Sequence, residues 1–257
     1  MAAAIAKKMG VKILTYNIWF DIMERDNRLE SLVKIIGSSG GDVICLQEVV
    51  PSVYDKIVKY LGGEYKYIFP EKIEAAYGCM ILSKYKGEYH EFKFDTHMGR
   101  MLHAVTFDFE SQKITVATAH FESEFRKYNI IKLKQYMLAQ EILNKLYEEY
   151  GPVIFCSDTN LLETEEKYFF GGDWEDCWKR DGANPLKEYT YDTKCNVNLQ
   201  LRNIQKVIRS RIDRVVFRGC VELMEFDLVK GGEYGMEPSD HYGVVAAFTV
   251  SQDTVSI

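Results

Sequence analysis

The residues best suited to catalysis follow a short apolar run that ends abruptly. Residues 153–157 have the pattern of a buried strand, and Asp158-Thr159-Asn160 comes directly after them. Because side chains alternate along an extended chain, Asp158 and Asn160 emerge on the same side of the strand. A carboxylate can hold an attacking water and a carboxamide can hydrogen-bond an oxyanion, although Asp and Asn are also common in turns after strands. The pair alone leaves a turn and a catalytic edge both open.

Polar side chains end or follow other predicted strands in the same way. Each has an ordinary structural explanation by itself: Glu48 as the cap of the next helix, His120 as a core histidine, Asp240 as a turn residue. Together they favour a different interpretation, in which the strand ends converge on one sheet edge. The full set is Asn17, Glu48, His120, Asp158, Asn160, Asp240 and His241.

The side-chain types in this set favour a hard divalent cation. Oxygen ligands without cysteine, and without a pair of histidines, suit Mg²⁺ or Mn²⁺ rather than Zn²⁺. Mg²⁺ prefers one or two carboxylates and completes its shell with water and substrate phosphate. The chemistry that this set predicts is metal-assisted attack of water on phosphorus.

The elements that must position these residues can be read from the apolar pattern. Apolar residues at helical spacing predict helices at 27–36, 52–61 and 129–147. Early strands alternate with helices and later strands follow one another, so a mixed sheet, or two sheets with helices outside, fits better than a doubly wound fold. Residues 163–208 are the least regular, and such long loops are often functional. The predicted strands are 11–17, 42–48, 65–70, 79–82, 101–109, 113–120, 153–157, 212–218 and 243–250.

The composition of the 257-residue, 29.8 kDa chain bounds its function class. A net charge of −6 argues against a wholly basic nucleic-acid binder, but not against a nuclease with a local basic strip. None of the 6 cysteines belongs to a CxxC pair, so we expect a reducing compartment. No apolar stretch is long enough to span a bilayer. We expect a single catalytic domain at 11–251 between tails at 1–10 and 252–257.

Five short motifs contain the strand-end residues: Thr15-Tyr16-Asn17, Leu46-Gln47-Glu48, Ser157-Asp158-Thr159-Asn160, Arg211-Ile212-Asp213-Arg214 and Ser239-Asp240-His241. In their order, and over nearly the whole chain, they resemble the endonuclease/exonuclease/phosphatase superfamily. The resemblance implies an α/β fold of the DNase I-like type. This fold is a four-layer αββα sandwich of two mixed β-sheets flanked by helices.

Other segments are similar to the branch of this superfamily that hydrolyses 5′-tyrosyl DNA. They are His120-Phe121-Glu122-Ser123, then Tyr189-Thr190-Tyr191-Asp192-Thr193 and Asn196-Val197-Asn198-Leu199. Arg100 falls where that branch has an arginine before a strand. Tyr191 and Tyr242 stand where it usually has Trp, which keeps an aromatic face but predicts weaker stacking.

We assign the metal and base roles on this resemblance. Glu48 binds Mg²⁺, with Mn²⁺ as the alternative ion, and Asn17 assists through water or a phosphate oxygen. Asp240 adds negative charge near the metal. Asp158 orients and deprotonates the attacking water.

The remaining residues contact the phosphate or the rest of the substrate. Asn160, His120 and His241 donate hydrogen bonds to phosphate oxygens, and Asp213 holds the ring of His241. Substrate binding is assigned to Arg100, Ser123, Tyr191, Arg209, Arg211 and Tyr242.

A run of basic residues near the C-terminal third has two interpretations. The residues either line a groove and bind DNA phosphates, or form a solvated strand face. The run comprises Arg202, Lys206, Arg209, Arg211, Arg214 and Arg218.

The predicted reaction is Mg²⁺-dependent hydrolysis of the 5′-phosphotyrosyl bond between a trapped topoisomerase tyrosine and DNA, which leaves a 5′-phosphate during DNA repair. A tyrosyl phenol has a pKa of about 10, so it leaves with little help from a general acid. We expect a monomer that acts on DNA ends in the nucleus, with the cytoplasm as a second location and no membrane partner. The alternatives are an abasic endonuclease, a deadenylase, a sphingomyelinase-like enzyme, or a non-catalytic DNA- or protein-binding module.

Overall fold

The fold was determined as a computed structural model, which describes residues 10–110, 112–123, 130–202, 204 and 206–250. The expected tails at 1–10 and 252–257 lie outside these residues, except for Gly10. Asn129, where the third predicted helix begins, also lies outside them. The described residues form two six-stranded sheets and a two-stranded ribbon.

The first sheet comprises β1 (Gly10–Asn17), β2 (Val43–Val49), β3 (Tyr67–Phe69), β4 (Gly78–Ser83), β13 (Val221–Val229) and β14 (Gly243–Val250). Its spatial order is β13-β14-β1-β2-β4-β3. The two central strands, β1 and β2, are parallel, and the other pairings are antiparallel. The sheet is therefore mixed.

The second sheet comprises β5 (Gly87–Lys93), β6 (Met101–Phe109), β7 (Gln112–His120), β8 (Val153–Asp158), β9 (Glu175–Asp176) and β12 (Asp213–Arg218). Its order is β5-β6-β7-β8-β12-β9, and only β7 and β8 pair in parallel. The ribbon pairs β10 (Tyr191–Asp192) with β11 (Arg209–Ser210).

Helices cover the outer faces of both sheets. Apolar residues of α1 (Arg25–Ser39) and α2 (Pro51–Leu61) pack on the first sheet, and those of α3 (Ile130–Tyr150) pack on the second. A third apolar core fills the space between the sheets. These layers confirm the predicted αββα sandwich. Two short helices, α4 (Cys177–Arg180) and α5 (Val197–Leu201), lie in the segment predicted to be irregular.

Each of the nine predicted strands and three predicted helices has a counterpart, with ends that differ by a few residues. β5, β13, β9 and the ribbon were not predicted. β5 and β13 lie at sheet edges and carry many exposed polar residues, so their apolar signal is weak. None of the described helices is both long and apolar enough to cross a membrane.

Candidate active site

Five strand ends meet at one edge of the sandwich. In the parallel pairs, Asn17 of β1 lies beside Gln47 of β2, and His120 of β7 lies beside Asp158 of β8. β12 is antiparallel to β8 and begins at Asp213, directly opposite Asp158. Because parallel strands end at the same edge and an antiparallel neighbour begins there, the topology brings these polar residues together.

The buried amide of Gln47 joins the two sheets below this edge. Its Nε2 donates to Oγ1 of Thr15 at 3.0 Å in the first sheet and to Oγ1 of Thr118 at 2.9 Å in the second. The two threonines lie two residues before Asn17 and His120. One side chain therefore fixes the spacing between strand ends that belong to different sheets.

Asp158 contacts side chains from both sheets. Its Oδ2 accepts from Nδ2 of Asn17 at 2.7 Å and lies 3.2 Å from Nε2 of His120. Burial, followed by the neighbouring charge of Asp213, raises the pKa of Asp158 to about 7, against a lowering by His241. A carboxylate with such a pKa is suited to accept a proton from water near neutral pH.

Glu48 faces Asp158 across the amide of Asn17. Nδ2 of Asn17 donates to Oε1 of Glu48 at 3.2 Å, and the backbone N–H of Phe20 donates to Oε2 at 3.0 Å. Glu48 has a φ of 61°, and the pairing of β2 with β4 shifts register next to it. Such a positive φ in a non-glycine residue is uncommon and often marks a functional position.

The side-chain oxygen of Asn17 accepts a hydrogen bond from the backbone. Oδ1 accepts from the N–H of Trp19 at 2.9 Å, so the amide N–H groups must face the carboxylates of Glu48 and Asp158. The structure thus places Asn17 as a donor that orients both carboxylates. Its proposed contact with a metal-bound water or a phosphate oxygen stays a prediction.

His120 is held in one tautomer by Arg100. Nη1 of Arg100 lies 2.7 Å from Nδ1 of His120 and can only donate, so the imidazole proton is on Nε2. Burial, together with the charges of Arg100 and His241, lowers the pKa of His120 well below its ordinary value. His120 is therefore neutral and directs an N–H into the site.

Two carboxylates of this cluster fit a hard divalent cation. Glu48, His120 and Asp158 place ligand atoms within 4.8 Å of one another. Nε2 of His120 carries its proton, which leaves the carboxylate oxygens as the metal-binding atoms. Burial raises the pKa of Glu48, and a bound cation would offset this cost of buried negative charge. Glu48 has the more accessible side chain, 13% exposed against 1% for Asp158.

His241 forms the opposite wall of the site. Its Nδ1 lies 2.8 Å from Oδ2 of Asp213. Burial alone would lower the pKa of His241, but the charge and hydrogen bond of Asp213 raise it well above the ordinary value. The ring is therefore a cation close to Asp158. Asp158, Asp213 and His241 place ligand atoms within 4.8 Å of one another.

Asn160 is fixed by its backbone as well as its side chain. Its N–H donates to Oδ1 of Asp158 at 3.0 Å, its Nδ2 donates to the carbonyl of Phe121 at 3.1 Å, and its φ is 47°. Nζ of the buried Lys132 donates to its carbonyl at 2.9 Å. One N–H of the Asn160 carboxamide is used by Phe121, which leaves the second for a ligand.

Asp240 and Tyr191 both lie beside His241. Oδ1 of Asp240 is 3.9 Å from Nε2 of His241, and its Oδ2 is 3.2 Å from Nη1 of Arg202. The Tyr191 ring meets the His241 ring edge-on, with centroids 5.3 Å apart. The ribbon that carries Tyr191 thus borders the site.

Comparison with known proteins places this geometry in a family. The sequence profile of the Endonuclease/Exonuclease/phosphatase family matches residues 14–241. The chain belongs to this family. The fold alone does not define a substrate: a mannosyl-6-phosphatase of Bacteroides thetaiotaomicron has a similar fold, with a TM-score of 0.73 at 15% identity over 93% of this chain and 99% of that one.

Other relatives are more similar in sequence. The chain is 31% identical to tyrosyl-DNA phosphodiesterase 2 of Gallus gallus over 93% of its own length and 27% identical to that of Homo sapiens over 91%. It spans 66% of the length of both. A solved structure of D. rerio TDP2, complexed with single strand DNA product, aligns with a TM-score of 0.85 at 25% identity, covering 94% of this chain and 99% of that one.

The structure separates several predicted substrate-binding residues from open solvent. Nη1 of Arg211 lies 2.6 Å from Asp176, and its guanidinium lies 4.6 Å from the Trp178 ring centre. Arg214 is buried and pairs with Glu166. For Arg211 and Arg214 the structure therefore differs from both interpretations of the basic run, because ion pairs inside the protein take up their guanidinium groups.

The other predicted substrate contacts lie in varied surroundings. Arg209 is part-exposed but pairs with Asp192 at 3.0 Å. Tyr242 is 3% exposed, so its ring offers no open stacking face. Oγ of the half-buried Ser123 lies 3.5 Å from Sδ of Met98, whereas Arg100 is buried against His120. Of the predicted set, Arg100 contacts His120 and Tyr191 contacts His241.

Two aromatic residues of the site were not predicted. Phe20 and Tyr77 stack with centroids 5.0 Å apart, and the Arg100 guanidinium lies 5.3 Å from the Tyr77 ring centre. Tyr77, Arg100 and His120 line one end of a cavity of about 530 Å³ beside the cluster. Neither aromatic lies in a strand or helix, so no periodic pattern indicates them.

Proposed function

We propose that the chain is a Mg²⁺-dependent phosphodiesterase that hydrolyses the 5′-phosphotyrosyl bond on DNA and leaves a 5′-phosphate. The observation that carries this proposal is the arrangement around Asp158. A carboxylate with a pKa of about 7 lies between a metal-binding Glu48 and two histidines of opposite character. His120 is neutral, and His241 is cationic.

The residues divide the chemistry among them. Asp158 accepts a proton from the attacking water, and Asn17 orients the carboxylate by its hydrogen bond of 2.7 Å. His241 donates to a non-bridging phosphate oxygen, where its charge stabilises the five-coordinate phosphorus. His120 and Asn160 supply further donors. When bound at Glu48, a divalent cation supplies positive charge that stabilises the developing negative charge on the phosphate.

The cavity next to His120 supports an aryl leaving group. Its volume of about 530 Å³ gives room for a tyrosyl side chain and adjoining peptide, and Tyr77 and Arg100 form its wall near the site. A phenol has a pKa of about 10 and can leave as phenolate without a dedicated acid. The Arg100 cation in this wall favours a leaving group that departs as an anion, as a phenolate does.

The opposite side of the site supports a DNA end. Tyr191 borders His241, and α5 next to it exposes Val197 by 53% and Leu201 by 62%. Exposed aromatic and apolar side chains near a phosphate site suit stacking with unpaired bases more than contact with a paired duplex. The complex of the D. rerio relative with single strand DNA product supports the binding of unpaired bases.

A panel of substrates tests the proposal. The wild-type protein with Mg²⁺ should release tyrosine from a 5′-tyrosyl oligonucleotide, and Asp158→Asn should not. Preference for an abasic duplex, poly(A) or sphingomyelin would replace the proposed function with that of another family member. No turnover of any ester, with intact DNA binding, would instead identify a non-catalytic binding module.

The same proposal includes the binding partners of the protein and its location in the cell. The substrate would be a DNA end that carries a topoisomerase-derived peptide, and the protein would act as a monomer in the nucleus. Sedimentation equilibrium tests the monomer. Fractionation of cells that express the chain tests nuclear against cytoplasmic location.

A further inference from the structure

Arg28 of α1 is buried, 2% exposed, and its guanidinium contacts backbone carbonyls rather than a carboxylate. Nε and Nη2 donate to the segment after β1, and Nη1 donates to that segment and to the segment before β14. The acceptors and distances are Ile18 at 3.0 Å, Trp19 at 3.1 Å, Asp21 at 2.5 Å, Met23 at 2.8 Å and Pro238 at 3.1 Å. All three of its nitrogen atoms thus donate to the main chain.

The two segments that Arg28 joins carry parts of the site. The first contains Phe20, whose N–H donates to Oε2 of Glu48 at 3.0 Å, and Trp19, whose N–H donates to Oδ1 of Asn17 at 2.9 Å. The second leads from Pro238 into Asp240 and His241. Arg28 therefore lies behind the metal-binding side of the site and contacts the two segments that shape it.

A buried cation without a carboxylate partner is costly unless its surroundings compensate it. Here carbonyl dipoles surround the guanidinium, and the Trp19 ring centre lies 4.4 Å from its carbon. Burial lowers the pKa of Arg28 to about 10, against the charges of Asp240 and Asp21, so the group remains a cation at neutral pH. The buried guanidinium is stabilised only while the carbonyls of the two segments stay in place. The hydrogen bonds of Arg28 in turn hold those two segments.

We propose that Arg28 is a positioning residue, which holds the segments 18–23 and 238–241 so that the carboxylate of Glu48 is arranged to bind the metal. The inference rests on the proposed function for the identity of the reaction, but not for the metal binding itself. A planar fork with five donors can join these carbonyls. A lysine has three donors and no fork, so it can replace the charge but not the set of bonds.

Arg28→Lys and Arg28→Met, with Lys34→Met as a control on the exposed face of the same helix, test this role. Mn²⁺ binding to the metal-free proteins is measured by calorimetry at a temperature well below their melting transitions. We expect the Kd for Mn²⁺ to rise about 10- to 100-fold in both Arg28 variants, the range for residues that orient metal ligands, and to be unchanged in the control. On a tyrosyl oligonucleotide, the Mg²⁺ concentration for half-maximal rate should rise while KM for DNA stays within about twofold of wild type, since Arg28 lies on the metal side.

Unchanged Mn²⁺ affinity in a folded Arg28 variant would overturn the role, even if that variant melts at a lower temperature. If Arg28→Met does not fold, Arg28→Lys decides, because it retains the positive charge. The Mn²⁺ measurement uses no substrate. A wild-type protein that binds Mn²⁺ but leaves the tyrosyl ester intact would count against the proposed function and leave the test of Arg28 valid.

Discussion

Asp158 and Asp213 lie directly opposite each other in the antiparallel pairing of β8 with β12. The two negative charges repel each other. The cation of His241 interacts with both residues, because it contacts Asp213 at 2.8 Å and lowers the pKa of Asp158. The pair separates two roles that carboxylates can have. Asp213 fixes a histidine, whereas Asp158 is kept basic enough to take a proton.

The pH dependence should follow this pair. The reaction needs unprotonated Asp158, so kcat/KM should rise with pH and level off, with a midpoint no higher than about 7 because a bound cation favours the carboxylate. Asp213→Asn removes a negative neighbour, so the midpoint should move to lower pH. It also removes the partner of His241, and kcat should fall by at least about tenfold. The control is Asp227→Asn on the exposed face of β13, and an unshifted midpoint in Asp213→Asn would argue against the coupling.

Glu48→Gln should weaken metal binding and leave DNA binding nearly intact. The variant keeps the shape of the side chain but loses the charge that holds a divalent cation. We expect the rate at fixed Mg²⁺ to fall by about 10²-fold or more, with partial recovery at high Mn²⁺, while binding of a 5′-phosphorylated oligonucleotide changes little. Glu30→Gln, on the exposed face of α1, is the matched control. Wild-type activity of Glu48→Gln after treatment with EDTA would exclude a metal at this residue.

Tyr191→Ala should raise KM for the oligonucleotide more than it lowers kcat. Loss of one aromatic stacking partner typically costs about 1–3 kcal/mol, or about 5- to 150-fold in affinity. Tyr191→Trp should lower KM, because the larger ring extends the stacking face. Tyr60→Ala, which removes a tyrosine that is 56% exposed on α2, should change neither constant. Equal KM values for Tyr191→Ala and wild type would remove Tyr191 from the DNA-binding surface.

Stability at acid pH should depend on His103 of β6, which lines the cavity next to His120. Burial lowers the pKa of His103 from 6.5 to about 4, against a small rise from Glu91, and its Nδ1 is 2.6 Å from the Tyr89 hydroxyl. The unfolded chain binds a proton at this histidine below pH 6.5 and the folded chain does not, so stability is lost as pH falls from 6.5 to about 4. The loss should approach about 3 kcal/mol, from about 1.4 kcal/mol per pKa unit.

The measurement is the free energy of unfolding in urea at several pH values. His103→Gln should be less stable than wild type at pH 7 and should lose less stability between pH 6.5 and 4. Parallel curves for the two proteins would show that the imidazole binds a proton equally well in the folded and the unfolded chain.

The convergence of polar residues at one sheet edge was predictable because these residues terminate strands. An apolar run that stops at Asp158, or at Glu48, carries both the element and the residue in one local pattern. The parallel pairs then bring distant strand ends together without further information. The fold followed from the same strands, whereas the edge strands β5 and β13 alternate too weakly to be recognised.

The supporting contacts were not predictable in this way. Arg28 bonds to carbonyls, which every residue has, so neither side-chain types nor spacing indicate the contact with Pro238. Tyr77 reaches the site from a segment outside the regular elements. Arg211 shows the same limit from the other side: a basic run indicates charge but not the Asp176 and Glu166 that pair with it from another part of the chain.

The bridge made by Gln47 has a consequence for inactivation. Asn17 and Glu48 belong to one sheet, and His120, Asp158 and Asp213 belong to the other, so neither half of the sandwich contains a working set. If the sheets part by even one water layer, the proton acceptor and the metal ligand separate. Activity should therefore disappear in urea along the same curve as the tertiary structure, and a partly unfolded enzyme that still turns over substrate should not exist.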